Sequence, residues 1–433
     1  MSLYEPQVEA HRQELRDRFV GKTINEIPTP SFVIDWHVVK LNSKRMLDGL
    51  TVYDSVKFRS HVKTHKTSEI VRLQLENGAR HNAVVASTLS EIKGLLKLVE
   101  QGVVKDILYG IPPTKSKIDV LAKISNDLSK HDAQLRLMID TLDQLKFLKE
   151  YAEQKNDDIK WSVYVKINVG DNRAGQKIDS NVFWQILEEW INSYSNQYFT
   201  IYGFYAHAGN SYGADGPDAA KKFLQTELDG VAKGAALARE LYHKHGRSEL
   251  LRFTLSVGAT PTALTSSVYV TEDLKKTISQ LSELDAIEVH AGNYAMLDLQ
   301  QVATGLVKHE NIAGTVVAEI IAYYPERDEY LIDAGVLALA REPGRLPGIA
   351  AIHGQPVQGE RWIVSRVSQE HGIISRFQAK QDGGSDKPWK VGDRVVLYPQ
   401  HACITSAMYQ KYFVIEQDVV TDVVIPWRGW EYI

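Results

Sequence analysis

Short apolar, β-branched segments alternate with longer amphipathic, charged ones through the first two thirds of the chain. The strand-like segments are Ser31–Trp36, Val56–His65, Asn82–Ser87, Asp106–Gly110, Leu135–Asp140, Trp161–Val169, Ile201–Ala208, Arg252–Val257 and Ala286–Ala291. Helix-like stretches lie between them, among them Ser68–Asn77, Thr88–Glu100, Lys115–Ser129, Thr141–Lys155, Val182–Ser193 and Pro217–His245. This order argues for parallel strands joined by crossover helices. About eight such units over about 270 residues fit a (β/α)8 barrel better than a doubly wound sheet. An open α/β sheet has the same alternation and is the competing fold.

The texture changes near residue 306. Thr315–Tyr323, Glu329–Asp333, Arg361–Val367, Gly372–Phe377, Arg394–Leu397, Tyr412–Ile415 and Val419–Val424 are short strands, with turns such as Glu342-Pro343-Gly344 and Gly392-Asp393 between them. The expected organisation is an N-terminal helix and lead-in over 1–27 packing on the β domain, a TIM-type barrel over 28–306, and a β-rich domain over 307–433.

Composition narrows the class. The 433 residues suit two domains. A hydrophobic fraction of 44% and a charged fraction of 24% are those of a globular protein. The formal net charge of −4 recommends neither nucleic acid nor an anionic membrane as partner. No apolar run approaches the roughly 20 residues that span a bilayer, and the charged N-terminus has no signal-peptide core. The single cysteine makes no internal disulfide and fits a reducing compartment, so the cytoplasm is expected.

Two segments carry candidate chemistry. If Val56–His65 is one strand, Arg59, His61, Lys63 and His65 share a face near its C-terminal end, where barrel enzymes place their sites. A lysine desolvated there among other cations would have the lowered pKa that a Schiff-base amine needs. A solvated, charged strand end is the plainer alternative. Lys66 is the rival amine, of opposite parity. Downstream, His401 and the lone Cys403 are two apart and would point the same way on a strand. Imidazole and thiolate are good zinc ligands, although a buried Cys beside a structural His is the commoner arrangement.

Other strand ends offer the donors that a phosphorylated cofactor needs. Ser256-Val257-Gly258-Ala259-Thr260-Pro261-Thr262 and Ala291-Gly292-Asn293-Tyr294 follow successive late strands, where barrels favour phosphate. Gly170–Gly175 places Arg173 in a turn. Tyr205–Tyr212 places two tyrosines and His207 at another strand end.

Together these segments resemble the eukaryotic D-serine dehydratases (D-serine ammonia-lyases). That family belongs with D-threonine aldolases and alanine racemases among pyridoxal-phosphate enzymes of fold type III. The resemblance runs nearly end to end. It rests on Pro28–Ser31, His61–Thr67, Asn172–Gly175, Phe204–Gly209, Ser256–Thr262, Gly292–Tyr294, Asp298–Gln301, Val367–Gly372 and Pro399–Cys403.

By motif it implies an alanine racemase-like fold and a set of roles. Lys63 would hold pyridoxal 5'-phosphate as a Schiff base and act as the base at Cα. Tyr205 and Tyr212 would lie against the cofactor, beside Arg173. Thr260, Gly292 and Asn293 would hold its phosphate, and His401 and Cys403 would bind Zn2+. The implied reaction is D-serine to pyruvate and ammonia in a homodimer, with D-threonine as a further candidate substrate. D-threonine aldolase chemistry is the nearest rival, but the aldolases carry aspartate where this chain has Cys403. A racemase needs no metal near the substrate's β-position, and a non-enzymatic cofactor carrier has no use for the metal pair.

Overall fold

The structure is a computed structural model that describes residues 4–155, 159–193, 198–356, 359–378 and 388–431. Within it the chain forms two compact units, one of residues 43–292 and 428–433, the other of residues 1–42 and 293–427.

The strands in chain order are β1 (Ser31–Asp35), β2 (Lys57–His61), β3 (Ala83–Ala86), β4 (Asp106–Tyr109), β5 (Gln134–Ile139), β6 (Trp161–Ile167), β7 (Phe199–Ala206), β8 (Thr254–Val257) and β9 (Ala286–Ala291). They continue as β10 (Gly314–Tyr324), β11 (Glu329–Ile332), β12 (Ala350–Ile352), β13 (Arg361–Val367), β14 (Gly372–Phe377), β15 (Arg394–Pro399), β16 (Tyr412–Glu416) and β17 (Val419–Val424).

The first unit is a closed barrel of β2 through β9 in sequence order, with parallel pairing throughout and β2 closing on β9. Its strands read as near-continuous apolar runs because barrel strands are covered on both faces; all four residues of β3 are buried. Crossover helices follow the predicted stretches closely, for instance Leu89–Glu100 and Pro217–Lys244. Thr88 starts the former by accepting a hydrogen bond from the Glu91 amide. The interior is partly polar. Arg59, fully buried, bonds Glu288 at 2.8 Å and Asp106 at 2.7 Å.

The other unit is a nine-stranded sheet in the order β11-β14-β13-β12-β15-β10-β1-β16-β17. Its core includes Leu15, Phe19, Val33, Val317, Phe413 and Val423. The helix Tyr4–Phe19 lies on β17 within this unit, where Arg12 donates to Val423 O at 2.9 Å and to Asp422 at 3.0 Å.

Three sequence expectations change. First, Ser31–Trp36 is not a barrel strand. β1 pairs with β10 antiparallel and β16 parallel, so the sheet unit takes the chain up to residue 42, and the units divide at 42/43 and 292/293 instead of 27/28 and 306/307. Second, β2 stops at His61 and Val62–Thr64 is a 3₁₀ turn. The shared face of Arg59, His61, Lys63 and His65 is lost. Arg59 points into the barrel, while His65 is buried against Gln74 and Thr67. Third, β15 ends at Pro399 and Ala402–Ala407 is helical, so His401 and Cys403 are not strand neighbours. The short strand β12 was not foreseen; three residues give too little pattern to read.

Candidate active site

Lys63 lies half-buried in the turn after β2, its amide donating to His61 Nδ1 at 3.3 Å. Around it the barrel strands bring His61, His207 and Lys166 into electrostatic reach. Burial, and then the charge of Lys63, pushes both His61 and His207 down, His207 to about 3. These rings are neutral at physiological pH and serve as hydrogen-bond groups. His207 Nδ1 donates to Gly258 O at 2.7 Å. Lys166 on β6 is lowered to about 8, first by burial and then by Arg173. It is therefore a partly neutral second amine.

Tyr205 on β7 stacks on His290 of β9, with ring centroids 4.0 Å apart and planes 11° apart. His290 is fixed in turn by Ser256 Oγ at 3.0 Å, and Ser256 donates to Glu288 at 2.7 Å. Burial raises the Tyr205 phenol, so it keeps its proton at neutral pH and is a donor. Tyr212 is half-buried in the turn Gly209–Gly213. Arg173 is largely exposed and pairs with Asp171 at 3.5 Å, yet its charge reaches Tyr205 and His207.

The turn after β8 has the chemistry of an anion cradle. Gly258 has φ +148, and a Cβ there would sit 2.0 Å from His290 O. The helix Thr260–Ser267 begins directly after it, wholly buried. Thr260 Oγ1 is buried with no hydrogen-bond partner, as is His290 Nε2. Helix-start amides, a buried unused hydroxyl and a close backbone approach fit a phosphorylated, ring-bearing cofactor. Gly292 ends this unit; a Cβ on it would lie 3.0 Å from His61. Gly258→Ala is expected to cost roughly 1–3 kcal/mol of stability from backbone strain alone, and to weaken phosphate binding further. Thermal melts with and without inorganic phosphate measure both.

Asn293 opens the sheet unit. Its Nδ2 donates to Asp298 at 2.6 Å, and its buried Oδ1 has no partner. Asp298 also accepts from the Ala402 amide at 2.8 Å, which ties Asn293 to the start of the helix carrying Cys403. His401 and Cys403 are hydrogen-bonded to each other through their side chains. Burial opposes charge on His401, but Cys403, Asp298 and Glu342 outweigh it and raise the imidazole to about 9. Glu342 lies 3.7 Å from His401 Nδ1. Among the described residues no three His, Cys, Asp or Glu side chains gather as a metal-holding set. A contiguous imidazole–thiol pair fits a soft cation that keeps open positions.

His290, Lys166 and Glu227 belong to the same surroundings and were not singled out from sequence. The available signals were a lone charge inside the apolar strand that contains Lys166 and an acid on the apolar face of a helix at Glu227.

Comparison with known proteins agrees with this architecture. Residues 35–292 match the alanine racemase N-terminal domain, and residues 313–415 match the putative serine dehydratase domain. The chain is 41% identical over 428 residues to the D-serine dehydratase of Schizosaccharomyces pombe, covering 97% of this chain and 96% of that one. It is 33% identical to the D-serine dehydratase of Saccharomyces cerevisiae, covering 96% and 100%. The crystal structure of an alanine racemase-like protein from Idiomarina loihiensis superposes with a TM-score of 0.75 at 26% identity, covering 94% of this chain and 99% of that one. Barrel, sheet unit and near-complete coverage agree, and the chain belongs to the D-serine dehydratase family, with the alanine racemase-like fold.

Proposed function

We propose that this protein is a pyridoxal-phosphate- and zinc-dependent D-serine dehydratase that converts D-serine to pyruvate and ammonia and works as a homodimer. The observation that carries the reading is 41% identity to a D-serine dehydratase over 97% of the chain. When bound, the cofactor supplies an aldehyde for amines and an electron sink for the bonds at the substrate Cα. Lys63 would hold it, and its amine would serve as the base for the Cα proton. The neutral His61 and His207 beside Lys63 add no positive charge of their own to the site. Tyr205, stacked on His290, would offer its phenol to the cofactor, with Tyr212 as a second tyrosine there. Thr260, Gly292 and Asn293 would hold the phosphate, and Arg173 would contribute positive charge.

Hydroxide is a poor leaving group. Zinc held by His401 and Cys403 would supply Lewis acidity to the β-hydroxyl. The Asp298 hydrogen bond to the Ala402 amide steadies the start of the helix that carries the thiol.

The test is pyruvate release from D-serine against L-serine, before and after chelation. D-serine alone should react. Chelation should lower the rate by about 10²–10³-fold, the several kcal/mol that a Lewis acid contributes, and zinc should restore it. Full activity in metal-free protein would remove zinc from the reaction. Equal rates with L-serine would remove the D preference.

A further inference from the structure

We propose that Glu91 is a positioning residue for Lys63: one buried carboxylate holds the turn that carries this lysine, through Lys66 on one side and through Ser87 and His61 on the other. The inference rests on the reading that Lys63 holds the cofactor. Glu91 lies in the first turn of the helix Leu89–Glu100, which follows β3, and it is fully buried. Its Oε2 accepts from the Ser87 amide at 2.6 Å. That much is ordinary for an acid at this place. Thr88 caps the same helix by accepting from the Glu91 amide at 3.1 Å, and first-turn carboxylates commonly take a free amide at the helix start. A cap needs neither full burial nor a second partner, and Glu91 has both. Its Oε1 meets Lys66 Nζ at 2.7 Å, charge against charge and off the direction of a hydrogen bond.

Lys66 belongs to a different strand end. β2 stops at His61, Lys63 sits in the 3₁₀ turn Val62–Thr64, and the chain then turns at Lys66, whose φ of +54 lies in the left-handed region. A lysine is disfavoured there and persists only where its surroundings hold it. The Lys66 amide donates to Val62 O at 2.9 Å, closing the turn, and the side chain reaches Glu91. The other arm runs through Ser87. Its hydroxyl lies 3.4 Å from His61 Nε2, and His61 Nδ1 accepts from the Lys63 amide at 3.3 Å. Because Nδ1 accepts, the neutral ring carries its proton on Nε2, toward Ser87. Glu91, Lys66, Lys63, His61 and Ser87 thus close a circuit across β2 and β3, which pair in parallel.

The turn has separate anchors at His65. His65 Nε2 lies 3.1 Å from Gln74 Oε1, which also accepts from Ser60 Oγ at 2.5 Å, and the Thr67 amide donates to His65 Nδ1 at 3.1 Å. These contacts do not involve Glu91. Loss of the Glu91 charge therefore leaves the turn folded and loosens where Lys63 points. The Lys66 side chain is partly exposed, so once unpaired it can turn to water.

The experiment follows two properties of the cofactor-free enzyme. One is the rate at which pyridoxal 5'-phosphate becomes fixed to Lys63 by borohydride, read by peptide mapping. The other is the dissociation constant of pyridoxine 5'-phosphate, which has the ring and the phosphate but no aldehyde for an amine. Glu91→Gln keeps an acceptor for the Ser87 amide and removes the charge facing Lys66. It should slow fixation by about tenfold or more, because a small misplacement of a reacting group is costly, and it should leave pyridoxine 5'-phosphate affinity unchanged. Lys66→Met should do the same from the other end of the pair, and it offers no competing amine. Lys66→Arg keeps the charge and should fix the cofactor within about threefold of the wild-type rate.

Fixation within about threefold of wild type in Glu91→Gln or in Lys66→Met overturns the proposal. So does a matching loss of pyridoxine 5'-phosphate affinity in Glu91→Gln, which would mean a general loosening of the barrel. Lys66→Arg as slow as Lys66→Met also overturns it, because the charge would then have no part. Should Glu91→Gln not fold, the two Lys66 variants make the same comparison. A wild-type enzyme labelled elsewhere than Lys63 overturns the underlying reading and this proposal with it. Label on Lys63 at one rate in every variant overturns the role of Glu91 alone.

Discussion

Lys63→Ala should lower kcat/KM for D-serine by at least about 10⁴-fold, because the substitution removes both the covalent attachment point and a base whose role alone is worth about 10²–10⁴. Borohydride treatment of the wild-type enzyme should fix the cofactor on the peptide containing Lys63, and in the variant it should fix none. Two other amines are near enough to compete. Lys66 is held in an ion pair with the buried Glu91 at 2.7 Å, and Glu91 is itself bonded to the Ser87 amide at 2.6 Å. Freeing Lys66 would leave a buried carboxylate unpaired, a cost of several kcal/mol. Lys166 has the chemically better amine, lowered to about 8 by burial and its cationic neighbours, and it stands at the C-terminal end of β6. Label on either of these in the wild-type enzyme would move the reactive lysine and with it the assignment of the base.

Lys63 stands out in the sequence as a candidate amine, but strand parity does not distinguish it from Lys66, because the chain leaves the sheet at His61. The polar residues that mark a strand's catalytic end are also the ones that favour turns, so the apolar pattern fades where the site begins. The barrel itself was legible because parallel strands buried on both faces give dense apolar runs and helices give amphipathic ones. β1 has the same apolar texture as a barrel strand, and its partners β10 and β16 are nearly three hundred and four hundred residues away. No local pattern encodes that choice.

The candidate ligands His401 and Cys403 show a similar gap. Spacing of two suggested a strand, yet Pro399 ends β15 and a helix begins at Ala402. The two side chains meet through a turn instead, a geometry that needs tertiary anchors such as the Asp298–Ala402 hydrogen bond. Glu227 is illegible for a different reason: its helical position matches the apolar face, and only the fold shows its buried carboxyl accepting from the Ala208 amide.

The second large effect is on stability. Arg59→Met should cost about 3–5 kcal/mol, the penalty for breaking a buried ion pair by removing one partner, measured by urea denaturation. Against a typical total of about 5–15 kcal/mol this is a severe loss. Arg59 has no exposed side-chain surface and joins Glu288, Asp106, Val84 O and Tyr164. The two carboxylates would fare differently. Asp106 keeps Arg136 at 2.6 Å, while Glu288 would be left with only the Tyr164 and Ser256 hydroxyls, at 3.0 and 2.7 Å. Most of the loss should therefore come from Glu288, and Arg59→Met with Glu288→Met should recover at least about 1 kcal/mol of it, since replacing a whole buried pair is often neutral or stabilising. A double variant less stable than the single would place the cost in lost packing.

Acid pH gives a separate check. Burial would raise Asp106, but Arg59 and Arg136 outweigh it and hold its carboxyl below the usual range. Its contribution is therefore full above the unfolded value of about 3.9 and is lost as pH falls through the lower folded value. With Arg59 gone the folded value moves back up, so the acid-side loss of stability attributable to Asp106 should shrink in Arg59→Met. The same substitution also loosens Glu288, which holds Ser256, which holds His290, on which Tyr205 stacks. A substitution inside the barrel should thus weaken the orientation of Tyr205, and Arg59→Met should lose kcat for D-serine even at temperatures where it remains folded.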